Sequence, residues 1–303
     1  TEKYEIFAYS LQNKPDEIQA EISSSVSEFR DVSKHSIPEI AETIRNDNLD
    51  ILIDLDSLTC PQATAVFALK PAPVQVTWLG FDASELPAID YFLVDSRVVP
   101  ENAQKDYSTK LWRLPETFIA VDGFEVGVPT LRREDIEIPP DAVVYFSSQT
   151  GAKRHPENAR LQLRILKQVP NSYFIVKGLY VDREALRQWF SRLAEEEGVE
   201  IDRLRFLPND ATEAVHRANL SLADVVLDTY PYNGATTTLE TLWMGIPLVT
   251  RVGEQFASRH SFDFLQLLGV TEGIAFSDEE YVEWGVRLGT DAGLREDVAW
   301  KLQ

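Results

Sequence analysis

The sequence predicts an α/β protein built from two doubly wound units in tandem, and three observations carry that expectation. Short β-rich runs alternate with helical ones through most of the chain. A stretch of glycine, proline and mixed charge from about Pro115 to Pro140 interrupts the alternation. The length of 303 residues also exceeds what one average hydrophobic core supports. The expected division is therefore a first unit over 1–120, a connection over 121–140 and a second unit over 141–303.

In the first unit, Tyr4–Tyr9 reads as a strand, Asp16–Ser23 as a helix, Phe29–Val32 as a strand, Ile37–Arg45 as a helix and the apolar Asp50–Leu55 as a strand. Ile37, Ile40, Ala41 and Ile44 recur at the spacing of a helix burying one face, and Ser36 stands as an N-cap before Pro38. After Pro71-Ala72-Pro73, the segments Val74–Gly80 and Asp90–Val94 extend the same sheet. The second unit predicts strand Val143–Ser147, helix Pro156–Gln168, strand Tyr173–Lys177, helix Arg183–Glu197 and strand Arg205–Leu207. Helix Thr212–Asn219, strand Val225–Asp228, helix Thr236–Met244 and strand Pro247–Thr250 complete it.

Composition narrows the function. A formal charge of −20 argues against a broad nucleic-acid or anionic-membrane surface, because phosphate affinity needs Lys and Arg to displace counterions. Any anionic ligand must then be held by a local site. The lone Cys60 forms no internal disulfide and belongs to no zinc spacing, which suits a reducing, cytoplasmic setting. No run of about 18 apolar residues and no signal-peptide pattern is present, so the sequence supports no membrane span.

Two loops carry the chemistry. In Asp228-Thr229-Tyr230-Pro231-Tyr232-Asn233-Gly234-Ala235-Thr236-Thr237-Thr238-Leu239-Glu240, a strand ends and a Pro/Gly turn leads into a helix whose first amides have no internal partner, which makes an anion site. Small residues around Gly234 permit close backbone approach, and the hydroxyls of Thr236 and Thr237 add donors. The competing reading is that Thr236 only caps its own helix. Glu240, one turn in, either accepts from ribose hydroxyls or favours the helix dipole. The second loop, Ser147-Ser148-Gln149-Thr150-Gly151-Ala152-Lys153-Arg154-His155-Pro156, is a βα turn in which Lys153 places a compact positive charge for a departing diphosphate. Taken alone, a loop lysine is most often a solvated surface charge. His155 reads as a helix-start residue, His216 as an ordinary histidine on a short helix, and His35 and His260 as weaker candidates still. The sequence has no Gly-x-Ser-x-Gly, Walker or Gly-x-Gly-x-x-Gly motif.

Several separated motifs, in consistent order over nearly the whole chain, resemble the O-linked N-acetylglucosamine transferase/SPINDLY family. They are Lys70–Gly80, the Lys153-x-x-Pro156 loop, Leu222–Thr229, Asn233–Gly245 and Phe256–Arg259. The resemblance implies a GT-B architecture of two Rossmann-like domains and an inverting transfer that uses no metal or other cofactor. The implied donor is UDP-N-acetylglucosamine and the implied acceptor a protein Ser or Thr hydroxyl, with tetratricopeptide repeats upstream in the full-length protein and the catalytic region truncated here at both ends.

Carried over by position, Lys153 resembles the lysine that stabilises the diphosphate, and Thr236 and Thr237 the pair that grips it. His216 resembles a histidine near the nucleotide, Glu240 a ribose-binding acid, and Gln149, Asn233 and Gly234 further donor-site positions. Asp31 resembles an acceptor-side aspartate with a catalytic role. The chain departs from the family pattern at Phe81–Glu85 after Trp-Leu-Gly, and at Ala235, where animal relatives carry a histidine. Two alternatives stand beside this reading: protein O-fucosylation from GDP-fucose, since Asp228–Tyr232 and Val176-Lys177 also look like SPINDLY proteins, and a non-catalytic nucleotide-binding or scaffold module.

Overall fold

The computed structural model describes residues 3–12, 16–178 and 181–303. The chain separates into two compact units, one of residues 1–96 and 101–118, the other of residues 97–100 and 119–303.

In the first unit, β1 (Phe7–Ser10) pairs in parallel with β2 (Glu28–Asp31) across α1 (Glu17–Ser25). After α2 (Ile37–Asn46), a four-stranded parallel sheet follows in the order β3 (Ile51–Asp54), β4 (Val74–Thr77), β5 (Tyr91–Val94), β6 (Lys110–Arg113), with α3 (Pro61–Ala68) crossing from β3 to β4. The expectation that one sheet runs through this region is corrected: among the described residues no ladder joins the β1–β2 pair to the four-stranded sheet. The two share a core instead, in which Val32, Ile40, Ala41, Ile44, Leu52 and Phe67 pack together with Tyr9 and Leu11 against them. Burial of these apolar side chains, at about 25 cal/mol per Å², holds the pieces together without backbone pairing. α2 begins as its sequence predicts, with Ser36 and Glu39 forming a reciprocal capping box and Pro38 in the first turn.

The second unit contains β7 (Val143–Ser148), α4 (Pro156–Gln168), β8 (Ser172–Lys177), α5 (Arg183–Glu197), β9 (Leu204–Leu207), α6 (Glu213–Asn219) and β10 (Val225–Leu227). It continues with α7 (Thr236–Trp243), β11 (Leu248–Arg251), α8 (His260–Leu267), β12 (Ile274–Ala275), α9 (Asp278–Thr290) and α10 (Ala292–Lys301). Its six strands are all parallel in the order β9-β8-β7-β10-β11-β12. The chain steps outward from β7 to β9 and then returns to the other side of β7. The loops after β7 and β10 therefore diverge, and an open α/β sheet binds its ligands at that switch point, outside the carboxyl ends of the strands.

Packing beneath this point is tight. β7 is a run of β-branched, aromatic and small residues, buried along nearly its full length. Its Tyr145 is fully buried and donates its hydroxyl to Gly285 O of α9 at 2.8 Å. A Cβ on Gly289, one helical turn further along, would lie 1.9 Å from that hydroxyl, so the glycine is needed for the helix to approach the strand. Among the described residues, no helix is long and apolar enough to cross a membrane.

Candidate functional site

The two loops singled out in the sequence leave β7 and β10, which are hydrogen-bonded neighbours. A backbone bridge between Arg154 and Pro231 fastens one loop to the other. The Lys153 ammonium, half-buried, donates to Asn233 O at 3.0 Å and stands 4.0 Å from the centre of the Tyr232 ring. This is not the solvated loop lysine of the competing reading. Burial pushes its pKa down to about 8, against the raising effect of the Asp228 charge. A second link joins the loops where Gln149 Nε2 donates to Thr237 Oγ1 at 2.7 Å. Gln149 is itself buried, so its amide is aimed by the strand end rather than left to rotate in water.

α7 begins in a way suited to an anion. The helices α4, α5, α6, α9 and α10 are each capped by a side chain, α4 by His155 as the sequence predicts. α7 has Ala235 at its N-cap, and no side chain caps it. The reading of Thr236 as the cap is thereby corrected: Thr236 is the first helical residue, exposed, while Thr237 is half-buried. The first amides of the helix keep their positive ends for an incoming group. Asn233 contributes through its backbone, since its side chain is fully buried and donates to Thr229 O at 2.7 Å. Gly234 is enclosed: a Cβ there would lie 2.6 Å from both the Thr237 and Thr238 hydroxyls and 2.7 Å from Gln149 Nε2.

His216 and Glu240 belong to a buried polar network on the β8 side. Lys177, at the end of β8, pairs with Asp210 and lies 2.9 Å from His216 Nδ1. Burial and the Lys177 charge hold the His216 pKa below its ordinary value. Glu240 is not a free acceptor: its Oε1 takes an ion pair from Arg217 Nη1 at 2.9 Å, and its Oε2 lies 4.0 Å from His216 Nε2. Arg217 also donates to Glu125 O at 2.6 Å and stacks over Phe124, which ties the segment after residue 119 to the helix carrying Glu240. A small cavity behind α7 is lined by Ser148, Gln149, His216, Asp228 and Thr237, so residues from both loops and from α6 converge on one place.

Asp31 lies in the first unit, exposed at the end of β2. Its carboxylate accepts from Ser33 N at 3.0 Å, and hydrogen bonding to Ser33 holds its pKa below the usual carboxylate range.

Sequence reasoning passed over two features of the site. Asp228, read only as a strand end, is a buried carboxylate surrounded by donors. His260, ranked as a weak candidate, is buried on α8 against the rings of Phe256 and Tyr232, and burial pushes its pKa down to about 3 with the Lys153 charge adding to the effect. The available signal was positional: Asp228 ends an apolar strand, and such ends line the ligand crevice of a parallel sheet.

The geometry agrees with known folds. Over 99% of this chain and 56% of the other, the structure superimposes with a TM-score of 0.87 and 29% identity on a mutant of the Thermobaculum terrenum O-GlcNAc transferase. Two parallel α/β units with the site at a strand-order switch place the protein in the GT-B glycosyltransferase fold class. The family model for glycosyl transferase family 41 matches residues 1–128 and 122–303, and the chain belongs to that family. It is 34% identical over 265 residues to the probable UDP-N-acetylglucosamine–peptide N-acetylglucosaminyltransferase SPINDLY of Solanum lycopersicum, covering 87% of this chain and 28% of that protein. It is 34% identical over 298 residues to the probable transferase SEC of Arabidopsis thaliana, covering 95% of this chain and 30% of that one. The chain thus spans less than a third of the length of the curated relatives it matches.

Proposed function

We propose that this chain is the catalytic region of an enzyme that moves a sugar from a nucleotide donor, UDP-N-acetylglucosamine, to Ser or Thr hydroxyls of proteins, with inversion and without a metal. The observation that carries the reading is the convergence of Lys153 with the uncapped start of α7 at the β7–β10 switch. A nucleoside diphosphate leaves with growing negative charge. An ammonium desolvated by its surroundings and a row of helix amides, both fixed beforehand, stabilise that charge without reorganising. Gln149 and Thr237 hold the mouth of the site, and Gly234 lets the backbone approach a phosphate. His216 and the second carboxylate oxygen of Glu240 face the nucleoside side. Asp31 is assigned to the acceptor side. In this reading the acceptor is a protein, and repeats outside this chain would hold it in a reducing, cytoplasmic setting.

GDP-fucose is the second donor worth testing, because Asp228–Tyr232 and Val176-Lys177 also resemble SPINDLY proteins. The test is incorporation of radiolabelled sugar into extract proteins by the full-length enzyme, offered UDP-N-acetylglucosamine or GDP-fucose in parallel. Label from the UDP donor is expected; label from GDP-fucose alone would reassign the donor, and label from neither alongside nucleotide binding would make the chain a binding module.

A further inference from the structure

Asp228 is 2% exposed, at the end of β10, and four donors point at its carboxylate. Oδ1 accepts from Thr229 N and Gly234 N, each at 2.8 Å, while Oδ2 accepts from Thr250 Oγ1 at 2.8 Å and Ser261 Oγ at 2.6 Å. Gly234 follows Asn233, whose carbonyl receives the Lys153 ammonium. One carboxylate therefore fixes the turn on which the lysine rests.

We infer that Asp228 is a positioning residue acting through Lys153, its buried carboxylate being the fixed counter-charge that keeps the ammonium protonated and seated against the Asn233 carbonyl. The inference rests on the donor reading above and deepens it. Among the described residues, the other charged or titratable groups beside Lys153 act differently. His260 of α8 feels the ammonium as a repulsion, Tyr232 presents its ring face, and Arg154, next in the chain, is directed to Ser147 O and Lys177 O. Removing a lone buried lysine from water favours its neutral form, and a neutral amine supplies no charge to a departing diphosphate. Among these groups only Asp228 opposes that tendency.

Asp228→Asn separates charge from architecture. The amide oxygen still accepts from the two backbone N–H groups, and the amide nitrogen donates to the two hydroxyls, which rotate to accept. The experiment follows the Lys153 side chain by NMR of protein labelled at lysine Cε, assigned by the signal lost in Lys153→Arg, across a pH titration without nucleotide. Wild type is expected to titrate near 8, and Asp228→Asn lower by about one pH unit or more. An unchanged midpoint overturns the inference. So does a midpoint moving up towards an ordinary lysine, which is what a collapsed turn that released the side chain to water would give. If circular dichroism shows that Asp228→Asn does not fold, the wild-type Asp228 carboxyl carries the test. Burial raises its pKa while its hydrogen bonds lower it, and NMR of the carboxyl carbon is expected to show the ionised form throughout the Lys153 titration; a protonated carboxyl there overturns the inference. Parallel titrations of wild type with UDP and GDP report on the donor reading separately: failure to bind either would sink that reading while leaving the Lys153 titration interpretable.

Discussion

Lys153→Met is expected to lower the rate of sugar transfer by a factor of about 10² to 10³, the usual loss when one fixed donor to a developing anion is removed. Met keeps the length and the apolar stem of the side chain, so the contact with the Tyr232 ring face survives as packing while the charge and the bond to Asn233 O disappear. Stability should be little changed, because a desolvated ammonium is replaced by a group that has no desolvation cost. Single-turnover rates, with the melting temperature of each protein, check both parts. The wild type carries a matching pH signature. Burial holds Lys153 to about 8, below a free lysine, so the charged form is present below that value and is lost as pH rises through it. Nucleotide affinity should fall on the alkaline side. Binding there should take up a proton, because the pyrophosphate favours the ammonium. The Met variant should show neither effect.

Gly234→Ala is expected to weaken nucleotide binding by at least about tenfold, or ~1.4 kcal/mol. The added methyl would sit 2.6 Å from two threonine hydroxyls and 2.7 Å from Gln149 Nε2, and the first turn of α7 has no slack to absorb it. Thr238 is buried and its hydroxyl lies 2.8 Å from Ser261 Oγ, and Gln149 is also buried. Overpacking of this kind costs about 1–3 kcal/mol. Part of it should appear as a lower melting temperature and part as the broken Gln149–Thr237 bond that links the loops. Calorimetric titration with UDP, run beside thermal melts, separates the two; wild-type affinity in the variant would show that the phosphate does not approach this turn.

Much of the second unit was legible from its residues. Helices α4 and α5 run over the predicted ranges, because both have a sharp start, at Pro156 and at the Asp182 cap, and α5 ends at Gly198 in the left-handed region. The strands shifted by only a residue or so, as expected where apolar runs end gradually. Other elements lacked a readable signal. α3 is a short run of small and apolar residues with no polar face to set a period, β6 carries Lys110 and Arg113 among its four residues, and β12 is only two residues long. The segment after Thr250, with α8, α9 and α10, holds only the two-residue β12 among its helices, so no strand–helix alternation marks it.

The candidate site was legible in its parts but not in its pairing. Lys153 and the Thr236-Thr237 turn stood out by composition. That Gln149 meets Thr237, 88 residues away, follows from β7 lying beside β10, a fact of strand order rather than of local sequence. The Arg217–Glu240 ion pair and the Thr250 and Ser261 donors on Asp228 are likewise products of the assembled unit, whereas the Thr229 and Gly234 amides reach the same carboxylate from within its own turn.

The central claim is that one pyrophosphate is held jointly by Lys153 and the start of α7. A crystal structure of the protein soaked with UDP tests it most directly. The account predicts diphosphate oxygens within hydrogen-bond distance of both Lys153 Nζ and the backbone amides of Thr236 or Thr237, with the nucleoside lying towards His216. A diphosphate bound elsewhere, or one touching the helix while Lys153 still rests on Asn233 O and makes no contact with it, would contradict the account.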